Sequence, residues 1–215
     1  MYNQEAFIAT VEQAYRSIDQ AQGSTRRSPA RIRVVQSQIL ESIRDSFAEG
    51  VIAQPAGLQE VRGFYHRKNF PIVVRQNNVP ALCIGTTLTL GGYESNIINY
   101  FQSILGESVN LQQTPARYAS IQIIPTRIRR RNNNQVFETL NAEHFTMFYN
   151  LMRTMNLPYT PLALGCAIVE IDYARRTVEP ANLTNIFSEE QLAQYRDFLS
   201  MEQFFYKIEQ FCQNL

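Results

Sequence analysis

At Glu60 the spacing of apolar residues changes from a helical period to a strand period, and this switch constrains the fold more than any other feature. Before it, NQEAFIATVEQAYRSIDQA places Phe7, Ile8, Val11, Tyr15 and Ile18 at helical spacing, and GSTRRSP breaks the pattern. Ser28 followed by Pro29 opens a second helix that runs to about Glu49, with Gly50 as its stop. The stretch VIAQPAGLQ reads as loop. Beyond Glu60, VRGFYH, FPIVVRQ and VPALCIGTTLTL read as successive short strands, the last two joined by a turn at Asn77–Asn78.

Helices and strands then alternate. A helix is predicted from Tyr93 to Leu111, a strand over YASIQIIPTRI, and an exposed basic loop over IRRRNNNQ. NAEHFTMFYNLMRTM follows as a helix capped by Asn141, LALGCAIVEIDYA as a central strand, and the residues after Ser188 as one or two closing helices. The pattern predicts a single α/β domain: a mixed central sheet flanked by helices, with a helical N-terminal segment (1–50), a core (60–175) and C-terminal helices (186–215).

Composition narrows the function classes. No apolar run approaches the roughly 18 residues of a membrane span, and the first twenty residues are amphipathic with mixed charge, unlike a secretory signal. The expectation is a cytoplasmic protein with no membrane partner. Cys83, Cys166 and Cys212 are far apart, and His66 and His144 are the only histidines, so no zinc or redox motif is spelled out. The segment GTTLTLGG lacks the GK-[ST] of a phosphate loop and the spacing of a dinucleotide fingerprint. No GxSxG elbow accompanies either histidine.

The net charge of +1 conceals an asymmetry. Residues 1–60 carry −1, residues 61–137 carry +7 and residues 138–215 carry −5. The middle third is therefore a basic block between acidic flanks. Such a block either binds a polyanion or packs against the acidic helices of its own chain. Eighteen of the twenty basic residues are arginine, which binds phosphate but does not transfer protons.

A strand, a hairpin, a second strand and a helix form the order in which many nucleases present an acid on one strand and acid-x-lysine on the next. RKNFPIVVRQNNVPALCIGTTLTLGGYESNIINYFQSILGESVNL, residues 67–111, resembles the core of XhoI-like type II restriction endonucleases of the PD-(D/E)XK superfamily. The likeness lies in Phe70, Tyr93, Asn96, Asn99, Gly106, Asn110 and Leu111. It implies a restriction-endonuclease-like fold and puts the catalytic Asp at Pro71, the Glu-x-Lys at Gly85 and Thr87, and two helix glutamates at Gln102 and Ser103. None of these five residues is charged. No Asp/Glu-x-Lys tripeptide occurs anywhere, because His66 and Phe205 precede Lys68 and Lys207 by two.

The resemblance thus implies a catalytically inactive, restriction-endonuclease-like protein without metal, a DNA-binding or assembly subunit in a DNA-processing or defence complex. It would act as a homo- or hetero-oligomer, with a protein partner such as an active nuclease. DNA would be held by Arg62, Arg67, Lys68, Arg75, Arg117, Arg127, Arg129, Arg130 and Arg131. Arg129–Arg131 with Asn132–Asn134 form the most distinctive cluster, because Arg and Asn read base edges as well as phosphates. Two alternatives stand beside it. One is an active, divergent Mg-dependent nuclease that uses Glu94, Glu107 or the strand pair Glu170 and Asp172; the other is a protein-interaction module without nucleic-acid binding.

Overall fold

The computed structural model describes residues 2–19, 32–53, 59–90, 92–129, 136–146, 150 and 160–215. Two N-terminal helices come first, α1 (Gln4–Asp19) and α2 (Arg33–Arg44). Phe7, Val11, Ala14 and Ile18 in α1, and Val35, Ile39 and Ile43 in α2, recur every three or four residues and are buried. The expected start of the second helix at Ser28–Pro29 lies outside the described residues.

Next come β1 (Val51–Ala53), β2 (Gln59–Arg62), β3 (Arg67–Phe70), β4 (Ile72–Gln76) and β5 (Val79–Leu88). Asn77 and Asn78 join β4 to β5 with φ of 50° and 66°, the left-handed pair that a two-residue hairpin needs and that asparagine tolerates. Helix α3 (Tyr93–Leu111) then crosses over to β6 (Arg117–Pro125). After it stand β7 (Arg127–Arg129), β8 (Val136–Thr139), a 3-10 turn (Ala142–Phe145), β9 (Ala163–Asp172) and β10 (Thr177–Pro180). Helices α4 (Glu189–Leu199) and α5 (Met201–Gln213) close the chain.

Six strands form one mixed sheet in the order β1-β4-β5-β6-β9-β10. β5, β6 and β9 are parallel, and β1–β4, β4–β5 and β9–β10 are antiparallel. Alternation along the strands splits the core in two. Leu82, Ile84, Ile121, Ile123 and Val169 face α1, α2 and α5, whereas Val73, Cys83, Ile124, Cys166 and Ile168 face α3 and α4. The fold is therefore mixed α/β, with helices on both faces of the sheet.

Three local expectations need correction. Val51–Ala53, read as loop, is an edge strand held by its ladder with Val74–Gln76, and three residues are too few to show a period. Of the stretch VRGFYH, read as a strand, only Val61 and Arg62 are in the β2–β3 ladder, and the chain then turns. β9 is interior but next to last in the sheet, between β6 and β10, rather than central. The helix expected after Asn141 begins as a 3-10 turn in which Asn141 accepts from Glu143 N–H and His144 Nδ1 accepts from Asn141 N–H; residues 147–149 and 151–159 are not described. Ser188 caps α4 reciprocally with Gln191.

Candidate nucleic-acid interface

Pro71 immediately precedes β4, whose first residue pairs with Ile84, so Pro71 stands beside Gly85 across the β4–β5 ladder. Gly85 and Thr87 share the face of β5 that carries Cys83, under α3. Three of the five positions where the resemblance puts catalytic groups thus come together, and all three side chains are uncharged. Gln102 and Ser103 lie on the exposed side of α3, turned away from that frame.

The space above Gly85 is filled by tyrosine. A Cβ on Gly85 would meet the Tyr118 hydroxyl at 2.5 Å. In the parallel register Cys83, Gly85 and Thr87 pair with Tyr118, Ser120 and Gln122. Ser120 and Gln122 are each 1% exposed, and Gln122 Nε2 donates to Ser120 Oγ at 2.8 Å. The frame under α3 is therefore a layer of neutral polar groups.

Among the described residues, the carboxylate found near this frame is Glu107 on α3. It is buried, and its Oε1 lies 2.6 Å from Lys68 Nζ on β3, while Oε2 has no hydrogen-bond partner. Glu94 is in the first turn of α3, and its side chain is outside the described atoms. Glu170 and Asp172 sit on the exposed end of β9, on one side of the strand. Asp172 accepts from the backbone N–H groups of Ala174 and Arg175, bonds that hold its carboxyl below the usual carboxylate range. It shapes the β9–β10 turn. Among the described residues no group of three His, Cys, Asp or Glu side chains is positioned to hold a metal ion.

The basic residues do not share one surface. Arg75 and Arg117 pair near Pro80 and with Leu82, at the amino end of β5. Arg127 and Arg129 follow the far end of β6. A nine-residue strand separates Arg117 from that second group, on the order of 30 Å. Arg130, Arg131 and Asn132–Asn134 are outside the described residues. Arg129 packs its guanidinium 4.8 Å from the Tyr173 ring centroid.

Arg62 and Arg67 flank a turn that the sequence pattern did not single out. Asn110, 1% exposed near the end of α3, holds this turn from below. Its Oδ1 accepts from Tyr65 N–H (3.1 Å) and His66 N–H (3.2 Å), and its Nδ2 donates to His66 O. Its backbone carbonyl accepts from Phe64 N–H at 2.7 Å. Gly63 is required here because any Cβ would collide with the Asn110 carboxamide.

The turn so fixed presents Phe64 and Tyr65 to solvent, 58% and 65% exposed and edge-to-face with centroids 4.8 Å apart. The two adjacent rings on this pinned turn are open to contact from solvent. Arg62, His66 and Arg67 adjoin them in the chain, and Arg117 stands elsewhere, at the start of β6 beside Leu82 of β5. Arg67 pairs with Glu60 at 2.9 Å, whereas Arg62 and Arg117 have no ion-pair partner among the described residues. Rings for stacking beside free guanidinium groups are what a nucleic-acid contact needs.

No family model matches the chain, and no curated protein or solved structure shows significant similarity to it. The site therefore rests on its own geometry. Among the described residues no helix is long and apolar enough to cross a membrane.

Proposed function

We propose that the chain is a restriction-endonuclease-like protein that binds DNA and does not cut it. The observation that carries this reading is the turn at 63–66, where Asn110 fixes two exposed aromatic rings between Arg62 and Arg67. Arg62 and Arg117 neutralise phosphates, and Phe64 and Tyr65 pack on bases or sugars. The nuclease-like side of the reading is supported by the succession β4, β5, α3 and β6 and by the meeting of Pro71, Gly85 and Thr87. With a tyrosine hydroxyl where an acidic side chain would extend from residue 85, the frame carries no metal and serves as scaffold. Catalysis, where the pathway needs it, comes from a protein partner in the same DNA-processing or defence assembly.

The test is incubation with plasmid DNA in Mg²⁺ or Mn²⁺. Retardation without cleavage is expected. Specific cutting that is lost in Glu94→Ala, Glu107→Ala or Asp172→Ala contradicts the reading.

One observation favours the second reading, an active divergent nuclease. Glu107 keeps a partnerless oxygen beside Lys68, so an acid and a lysine do meet on the α3 side of the frame although they come from α3 and β3. A divalent ion would find a single carboxylate in that position, and the same plasmid assay separates the two readings.

A further inference from the structure

A small cleft of about 80 Å³ opens at the other end of the sheet. It lies beyond the carboxyl ends of the parallel strands: Leu90 follows β5, Pro125 ends β6 and Ile171 is near the end of β9. That is the crevice in which open α/β sheets bind ligands. Helix α1 closes one side with Tyr15 and Ile18, and Ile128 and Val178 complete an apolar wall.

Two hydrogen-bonding groups in this lining are unused. Thr89 is 2% exposed, and its hydroxyl has no partner. Arg129 Nε is buried and has none either. Neighbouring polar groups are already committed. Tyr15 OH donates to Thr89 O, and Tyr173 OH donates to Arg127 O. Arg16 is paired with Glu12 at 2.7 Å and donates to Arg176 O. Glu12 is further occupied by Val178 N–H, and Asp172 by two backbone N–H groups and Arg175.

Arg16, Arg129 and Arg176 reach the cleft, and no acidic side chain is among the described residues that line it. A buried guanidinium N–H and a buried hydroxyl without partners cost free energy that a ligand recovers. Their shared chemistry selects an anionic head, and the aliphatic wall selects an apolar body.

We infer that this cleft binds a small organic anion, an apolar chain or ring carrying one carboxylate or phosphate, with the anionic head on Arg129 and Thr89. The inference is independent of the DNA reading, which concerns the opposite end of the sheet.

The test uses calorimetry and methyl chemical-shift mapping on the whole chain with four probes: octanoate, octyl phosphate, neutral octanol and inorganic phosphate. Octanoate or octyl phosphate is expected to bind at least tenfold tighter than octanol and than inorganic phosphate, and the stronger of the two identifies the head group. The methyl shifts should centre on Leu90, Ile128, Ile171 and Val178. Arg129→Gln should abolish the preference over octanol, and Thr89→Val should weaken binding severalfold while leaving the fold intact. Equal binding of octanol, no binding by either anion, or shifts centred elsewhere would overturn the proposal. Because the mapping is done on the unaltered protein, it decides the matter even where a variant fails to fold.

Discussion

The Tyr118 hydroxyl lies 2.5 Å from where a Cβ on Gly85 would stand, and Tyr118 Cζ lies 3.3 Å from it. Tyr118 is 6% exposed, so it has little room to withdraw. Gly85→Ala should cost about 1–3 kcal/mol in chemical denaturation through overpacking. Tyr118→Phe removes the obstructing oxygen, so the double variant should lose less than the sum of the two single losses. Strict additivity would contradict the contact.

Asn110 replaces backbone partners that the 63–66 turn cannot supply for itself. Asn110→Ala should destabilise the protein by about 2–3 kcal/mol, because it leaves Tyr65 N–H and His66 N–H without partners, while His66 O keeps only Gly63 N–H. Hydrogen exchange read at Tyr65 and His66 should speed up at least tenfold. Unchanged protection there would show that the turn is held by something else.

Lys68 and Glu107 form a pair in which the carboxylate is buried and the ammonium partly exposed. Lys68→Met leaves Glu107 without its cation and should cost roughly 1–3 kcal/mol, less than a fully buried pair because solvent screens the lysine side. Adding Glu107→Gln should restore part of the loss. A double variant no more stable than Lys68→Met would mean that the pair is incidental.

Burial pushes the thiols of Cys83 and Cys212 up to about 12, and that of Cys166 higher still. In the unfolded chain a thiol ionises near pH 8.5. Stability tied to the neutral thiols is therefore full below about pH 8.5 and falls as pH rises toward 12, since only the unfolded chain releases the protons. The slope of unfolding free energy between about pH 8.5 and 10 should flatten in Cys83→Ala. Aromatic-disulfide labelling should find no reactive thiol in the native protein and all three after unfolding.

How far these features could be read from the sequence depends on whether they are local. Asn77–Asn78 states its turn in two residues, Ser188 and Gln191 state a cap in four, and the unbroken apolar run of β9 states an interior strand. The 63–66 turn is different. Its partner Asn110 is 44 or 45 residues away, so Gly63, Phe64 and Tyr65 looked like strand. The basic block is contiguous in sequence, yet β6 runs through it and sends Arg117 and Arg127 to opposite ends of the sheet. The cleft was invisible because its wall is assembled from α1 and from the ends of strands β5 to β10. Pro71, Gly85 and Thr87 showed that charge was missing from the frame, but not that Tyr118 had filled it.

The central claim is that DNA is held at the amino end of the parallel strands by the pinned turn. The direct measurement is the salt dependence of DNA affinity, by fluorescence anisotropy on duplex and single-stranded probes, for three proteins. These are the wild type, Arg62→Gln/Arg67→Gln/Arg117→Gln, and Arg129→Ala/Arg130→Ala/Arg131→Ala. Each phosphate contact contributes roughly 0.7–0.9 to the slope of log affinity against log salt. With Arg62 and Arg117 as the phosphate contacts and Arg67 held by Glu60, the first triple variant should flatten the slope by about 1.4–1.8, and the second should leave it within about 0.5 of the wild type. An unchanged slope in the first variant, or a flattened one only in the second, would contradict the account.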